Sequence, residues 1–405
     1  MRARLLLAAV LVLPLSSYGY SVLTHEAIID SSWDDTITPL LKNRFPHITA
    51  EQLIEAHSYA YGGAIIQDMG YYPFGSKLFT DLTHYVRSGD FVEALIRDSE
   101  DPNEYAFALG ALAHYTADNI GHPKAINLVV PELYPKLRVK YGNVVPYEKN
   151  PGAHLKTEFG FDVLEVAKGR YAPKDYHDFI GFRVAKPVLE RAFLDTYSIE
   201  MKDIFKSLDL ALGMYRKAIS SIIPEMTKAA WYERRNEIEK SQPGMVKRKF
   251  LFNMSRASYE KEWGREYERP GCGARLLAFL FRIIPKVGPF KALSYRMPDP
   301  QSEKLFLSSF NQTVVRYCEY LQDVSRSRLR LPDRNLDTGG ATKPGTYHLA
   351  DWAYEQLLEK LNSKKADVSP GLRAKILEFY GQSKSPGSEK ARRELAALRQ
   401  DYQFK

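Results

Sequence analysis

Apolar and polar residues follow a helical period through most of the chain, and strand-like alternation is weak throughout. The clearest start is Asp101-Pro102-Asn103-Glu104. There Asp can cap, Pro fits the first helical position, and Glu can reach back to the cap. The run Tyr105–Asp118 follows, and Ala106 to Ala113 are all apolar or small, which predicts a helix buried nearly all round. Gly121 and Pro123 flank His122 and predict that this helix ends there. Residues 187–237 carry charged and apolar faces and predict one long helical stretch, kinked at Pro224. Further helical patterns hold Leu305–Val324, 347–362 and 388–402, and Thr338-Gly339-Gly340-Ala341-Thr342-Lys343-Pro344-Gly345 is a loop. No internal repeat is visible. The pattern predicts an all-α, multi-helix domain with a C-terminal helical extension.

The extreme N-terminus has a different pattern. Arg2 and Arg4 precede an unbroken apolar run from Leu5 to Leu15, then Ser16-Ser17-Tyr18-Gly19. A basic start, an apolar core and small residues at the end predict a signal peptide, 1–19, cut after Gly19. The apolar run is well short of the ~20 residues that a spanning helix needs. The mature chain would begin at Tyr20 and be secreted or periplasmic, where Cys272 and Cys318 could pair. Gln242-Pro243-Gly244 marks a boundary, dividing the mature chain into 20–242 and a basic and helical extension, 243–405.

Composition narrows the classes. The 405 residues are 44% hydrophobic and 26% charged, which excludes a wholly disordered chain and a multi-span membrane protein. Two cysteines are too few for a disulfide scaffold or a thiolate zinc site, so any transition-metal site must use His and carboxylates. The formal charge of +8 is concentrated: residues 243–296 alone hold twelve Lys/Arg against four Glu. Basic residues interleaved with aromatic ones suit contact with an anionic membrane surface, and they equally suit a buried helix with solvated charged neighbours.

The histidines supply the candidate chemistry. In His114-Tyr-Thr-Ala-Asp118-Asn-Ile-Gly-His122 the three ligand-type side chains fall within an arc of about 80° on a helix. Ionisable groups at the end of a buried helix need partners, and a metal ion is one. His154 and Glu158 repeat the i,i+4 spacing, although alone they read as a surface pair. Singly, His25 reads as a surface residue, Asp68 as a helix cap and His84 as a core histidine.

Together these residues resemble the zinc-dependent phospholipase C family of bacteria, which includes the catalytic domain of glycosylphosphatidylinositol-specific phospholipase D. Fungal single-strand nucleases are more distant relatives. The resemblance covers roughly residues 20–235. Its motifs run in family order: Tyr20-Ser-Val-Leu-Thr-His25-Glu26, Gly62-Gly63 with Asp68, Thr83-His84-Tyr85, Phe107-Ala-Leu-Gly110 with His114, Asp118 and His122-Pro123, and finally His154 with Glu158. It implies up to three zinc ions. One would be held by Asp68, His84, His114 and Asp118. A second would take Asp118 as a bridge, His25, and the amine and carbonyl of a mature N-terminus at Tyr20. The third would use His122, His154 and Glu158. The chain departs from the pattern in carrying Tyr20 where Trp is usual, and three residues between Asp118 and His122 where the best-known members have five. The last ligand is Glu, as in the phospholipases, which favours lipid over nucleic acid.

The resemblance implies hydrolysis of a phospholipid between glycerol and the headgroup phosphate, by water activated at the zinc cluster, with Asp68 to orient or deprotonate it. Two alternatives share the site: a single-strand nuclease-like phosphodiesterase and a non-catalytic, metal-stabilised membrane-binding protein.

Overall fold

The Ala-rich segment predicted to be buried is the central helix of the structure, a computed structural model that describes residues 22–168, 170, 182–217, 236, 295–382 and 388–400. The described helices that open the chain are α1 (Val22–Ser32), α2 (Thr38–Arg44), α3 (Ala50–Gly63), α4 (Lys77–Tyr85) and α5 (Ser88–Arg97). A 3-10 turn, Ile66–Tyr71, joins α3 to α4. Next come α6 (Pro102–Gly121), α7 (Asn127–Leu133), α8 (Pro135–Tyr141) and α9 (Pro151–Lys168). After them come α10 (Lys186–Tyr197) and α11 (Leu208–Lys217). The C-terminal part contributes α12 (Pro300–Ser325), α13 (His348–Lys364), α14 (Pro370–Gly381) and α15 (Glu389–Gln400). No strand occurs among the described residues, so the fold is all-α as expected.

Helix α6 starts where the sequence predicts. The Asp101 carboxylate accepts from the N–H groups of Asn103 (2.8 Å) and Glu104 (2.9 Å), and Pro102 takes the first helical position. Ala106 to Ala113 are buried on every side. Helix α3, started by a Thr49/Gln52 capping box, packs along α6 with its backbone in close contact. A Cβ on Gly63 would lie 1.9 Å from Phe107 O, and one on Gly110 would lie 2.0 Å from Ala60 O. Only glycine fits on either side of that crossing.

The extension packs on the same core. Helix α12 lies against α6 and α1, and α13 lies against α4. The Tyr317 hydroxyl donates to Leu109 O (2.9 Å), and the Tyr115 hydroxyl donates to Pro332 O (2.5 Å). One continuous cluster of buried apolar side chains includes Phe107 and Leu112 together with Phe306, Leu336 and Tyr354.

One expectation about the helices holds and one is corrected. Helix α6 ends at Gly121, as Gly121 and Pro123 predict, and a π-turn, His122–Ile126, then leads the backbone into α7. The stretch from 187 is not one helix. It ends at Tyr197 where Ser198 turns left-handed (φ 55°), and a 3-10 turn at Met201–Asp203 precedes α11. Pro224, the predicted cleavage point, Tyr20, Cys272 and nearly all of the basic 243–296 section lie outside the described residues. Cys318 is half-buried, with its Sγ 3.6 Å from Ser32 Oγ. No helix among the described residues is long and apolar enough to cross a membrane.

Candidate metal centre

Six elements carry the predicted ligands to one place. His25 comes from α1, Asp68 from the 3-10 turn, His84 from α4, His114 and Asp118 from α6, His122 from the π-turn, and His154 and Glu158 from α9. All eight are at most 2% exposed. The surface reading of His25 and of the His154/Glu158 pair is therefore wrong. Period alone cannot show which face of a short helix meets the core.

Asp118 is the centre of the cluster. Its Oδ2 lies 3.2 Å from His114 Nε2 and 3.5 Å from His84 Nε2, and its Oδ1 lies 3.5 Å from His122 Nε2 and 3.6 Å from His25 Nε2. Asp68 Oδ1 is 3.4 Å from His84 Nε2. The donor atoms form three groups, each close enough to surround a single ion: His25/His114/Asp118, Asp68/His84/His114 and His122/His154/Glu158. Tyr20, the ninth candidate, lies outside the described residues.

The surroundings orient each ring. His84 Nδ1 lies 2.9 Å from Thr80 O, and His114 Nδ1 lies 3.0 Å from Ala64 O. A carbonyl can only accept, so both rings donate from Nδ1 and turn Nε2 into the cluster. The two Nε2 atoms are 3.4 Å apart. His114 thus turns Nε2, and not its Nδ1–H, toward a carboxylate oxygen of Asp118. On α9, Asp162 accepts from Leu23 N (3.0 Å) and Thr24 Oγ1 (2.8 Å), which ties the start of α1 to the ligand helix and places His25.

The electrostatics agree. Burial opposes charge on Asp118, yet His114 and His122 outweigh it and hold the carboxyl well below its usual range. Burial likewise opposes charge on His84, but Asp118 and Asp68 outweigh it and raise its pKa well above that of free imidazole. His25, with burial reinforced by His114, falls to about 3. Burial, then the Asp118 charge, pushes Glu158 well above the usual carboxylate value, and burial with His122 pushes His154 well below its own. Both Asp118 oxygens, both His122 ring nitrogens and Glu158 Oε2 are buried without a well-formed hydrogen bond among the described residues. Buried groups in this state lack a partner, and nitrogen and carboxylate oxygen are the donors that zinc takes when no thiolate is present. The residues fit such ions.

Several contributors were not foreseen. Asn127 opens α7 with Oδ1 2.8 Å from His154 Nε2, and Asp162 ties α1 to α9. Asp337, from the extension, accepts on Oδ2 from the hydroxyls of Tyr85 (2.7 Å) and Tyr347. A polar Asn within Ile126-Asn127-Leu128-Val129-Val130 was a readable signal, whereas Asp337 had none, since nothing in its spacing relates it to the histidines.

The described residues form an all-helical domain with clustered, buried imidazoles and carboxylates, a candidate metal centre. Residues 24–207 match the family model of zinc dependent phospholipase C, so over that span the chain is similar to this family. No curated protein and no solved structure matches the chain.

Proposed function

We propose that the chain is a zinc-dependent phosphodiesterase that releases phosphorylated headgroups from phospholipids, acting outside the cytoplasm once a leader ending at Gly19 is removed. The observation that carries this reading is Asp118, a buried carboxylate met by four imidazoles within the segment similar to that family. We assign one ion to Asp68, His84, His114 and Asp118, a second to Asp118, His25 and the freed terminus of Tyr20, and a third to His122, His154 and Glu158. Zinc, when bound, supplies Lewis-acid stabilisation of phosphate charge and a water of lowered pKa.

The chain's own groups do the rest. His84 and His114 are locked by the Thr80 and Ala64 carbonyls, so their Nε2 atoms need no reorganisation. Asp68, beside His84, accepts the proton of the attacking water. The water oxygen bonds to phosphorus, the bond from phosphorus to the glycerol oxygen breaks, and a proton returns to that oxygen. Diacylglycerol and a phosphorylated headgroup result. The basic 243–296 section remains the proposed contact with an anionic membrane surface.

Headgroup release from mixed phospholipid vesicles, measured with zinc content before and after chelation, tests the reading. Activity should vanish with the metal and return with zinc, and His114→Ala should abolish it. Hydrolysis of single-stranded DNA with none of phospholipid would overturn the lipid assignment, and full zinc occupancy without any phosphodiester hydrolysis would overturn catalysis.

A further inference from the structure

Asn335-Leu336-Asp337 lies far beyond the matched segment, yet it grips the candidate metal centre from two sides. Leu336 N–H donates to His84 O (3.1 Å), and Thr342 Oγ1 donates to Tyr85 O (3.1 Å). Asp337 is buried and takes hydroxyl hydrogen bonds from Tyr85 and Tyr347, while its own N–H donates to Asn335 Oδ1 (3.0 Å). On the other side, Asp337 O meets Asn127 Nδ2 at 2.8 Å.

The polarity of these bonds propagates. A main-chain carbonyl only accepts, so Asn127 must present its NH₂ to Asp337 and its Oδ1 to His154. An amide oxygen also only accepts, so His154 must carry its proton on Nε2, 2.8 Å away. That leaves His154 Nδ1 bare and facing Glu158 Oε1 at 2.9 Å, inside the His122/His154/Glu158 group. We propose that Asp337 and Asn127 are positioning residues, through which the 335–347 segment fixes the His154 tautomer and aims Nδ1 into that group. The relay stands on hydrogen-bond polarity, and only its consequence for zinc rests on the function proposed above.

The alternative is a buried loop whose bonds merely fill space. The test uses the full mature chain labelled with ¹⁵N-histidine. Imidazole tautomers are read by NMR on metal-free protein, and zinc retention is read against graded chelator. The wild type should show His154 protonated on Nε2. Asn127→Leu should give a tautomer mixture and weaken the ion held with His154 about 10- to 100-fold, the usual effect of losing an outer hydrogen-bond partner, while ions elsewhere stay. Asp337→Ala should act in the same direction. Asp337→Asn keeps an acceptor for both tyrosines and should restore wild-type behaviour, which a variant that merely destabilises the fold would not reveal. A wild-type His154 protonated on Nδ1, or an Asn127→Leu chain with unchanged tautomer and zinc retention, would overturn the inference. An Nε2 proton in a wild type that retains no zinc would uphold the relay and sink the metal assignment instead.

Discussion

Asp118 and Asp81 show two ways to keep a buried carboxylate. Asp118 is surrounded by imidazoles and stays ionised. Asp81, on α4, pairs with Lys77, whose ammonium is half exposed, and its Oδ1 has no hydrogen-bond partner among the described residues. Burial outweighs Lys77 and lifts the Asp81 pKa from 3.8 to about 6. Between those values folded Asp81 holds a proton that the unfolded chain has released, so its contribution to stability falls as pH rises from about 4 to 6 and stays lower above. Asp81→Asn should remove that slope and raise stability at pH 7 on the order of 2 kcal/mol, after allowing for the lost Lys77 pair. Denaturant midpoints of metal-free protein at pH 4, 6 and 8 check it. The residues that carry the chemistry were largely legible, because ligand types recur at i,i+4 in a fixed order along the chain. Their burial was less so: His154 and Glu158 read alone as a surface pair, and only the packing of α9 against α1 and α7 shows otherwise.

Helices α3 and α6 hold the site open at the right spacing through a contact made of backbone. The Gly63 and Gly110 positions leave no room for a methyl, and the chain leaving α3 delivers both Ala64 O, which orients His114, and Asp68. Gly110→Ala should therefore cost about 1–3 kcal/mol by overpacking and also lower zinc retention. Asp101→Ala, at the far end of α6, should cost about 1 kcal/mol by loss of the cap and leave zinc retention unchanged. Chemical denaturation with metal analysis of both variants separates the two effects. The start of α6 was readable because Asp-Pro-x-Glu encodes a cap locally. Its end at Gly121 was readable too, from Gly121 and Pro123, whereas the π-turn that follows leaves no periodic signal. Helix α14 was missed altogether, and Ser198 broke a pattern whose period gave no sign of a left-handed residue.

At the scale of the molecule, the matched segment and the extension share their interior. Tyr317 adds a hydrogen bond to the carbonyl of Leu109 in the middle of α6, and α13 lies along α4, so removing the extension would expose buried apolar surface to water. A chain ending at residue 242 should not unfold cooperatively and should expose dye-binding apolar surface. Co-expression with residues 295–405 should restore a sharp thermal transition. The sequence showed a basic section and further helices after Gly244 but gave no way to see where they dock, since docking depends on which apolar faces remain uncovered once α1 to α11 have packed.

The grip of Leu336 on His84 has a consequence in time. Every proposed ligand from His25 to Glu158 leaves the ribosome well before Leu336 and Asp337 do, and domains fold from the N-terminus as they emerge. The nascent chain can gather its imidazoles early, but the segment that clamps them follows long after Glu158. A protein whose proposed chemistry cuts phospholipids is in this way assembled in an order that leaves its centre unfinished until that later segment docks.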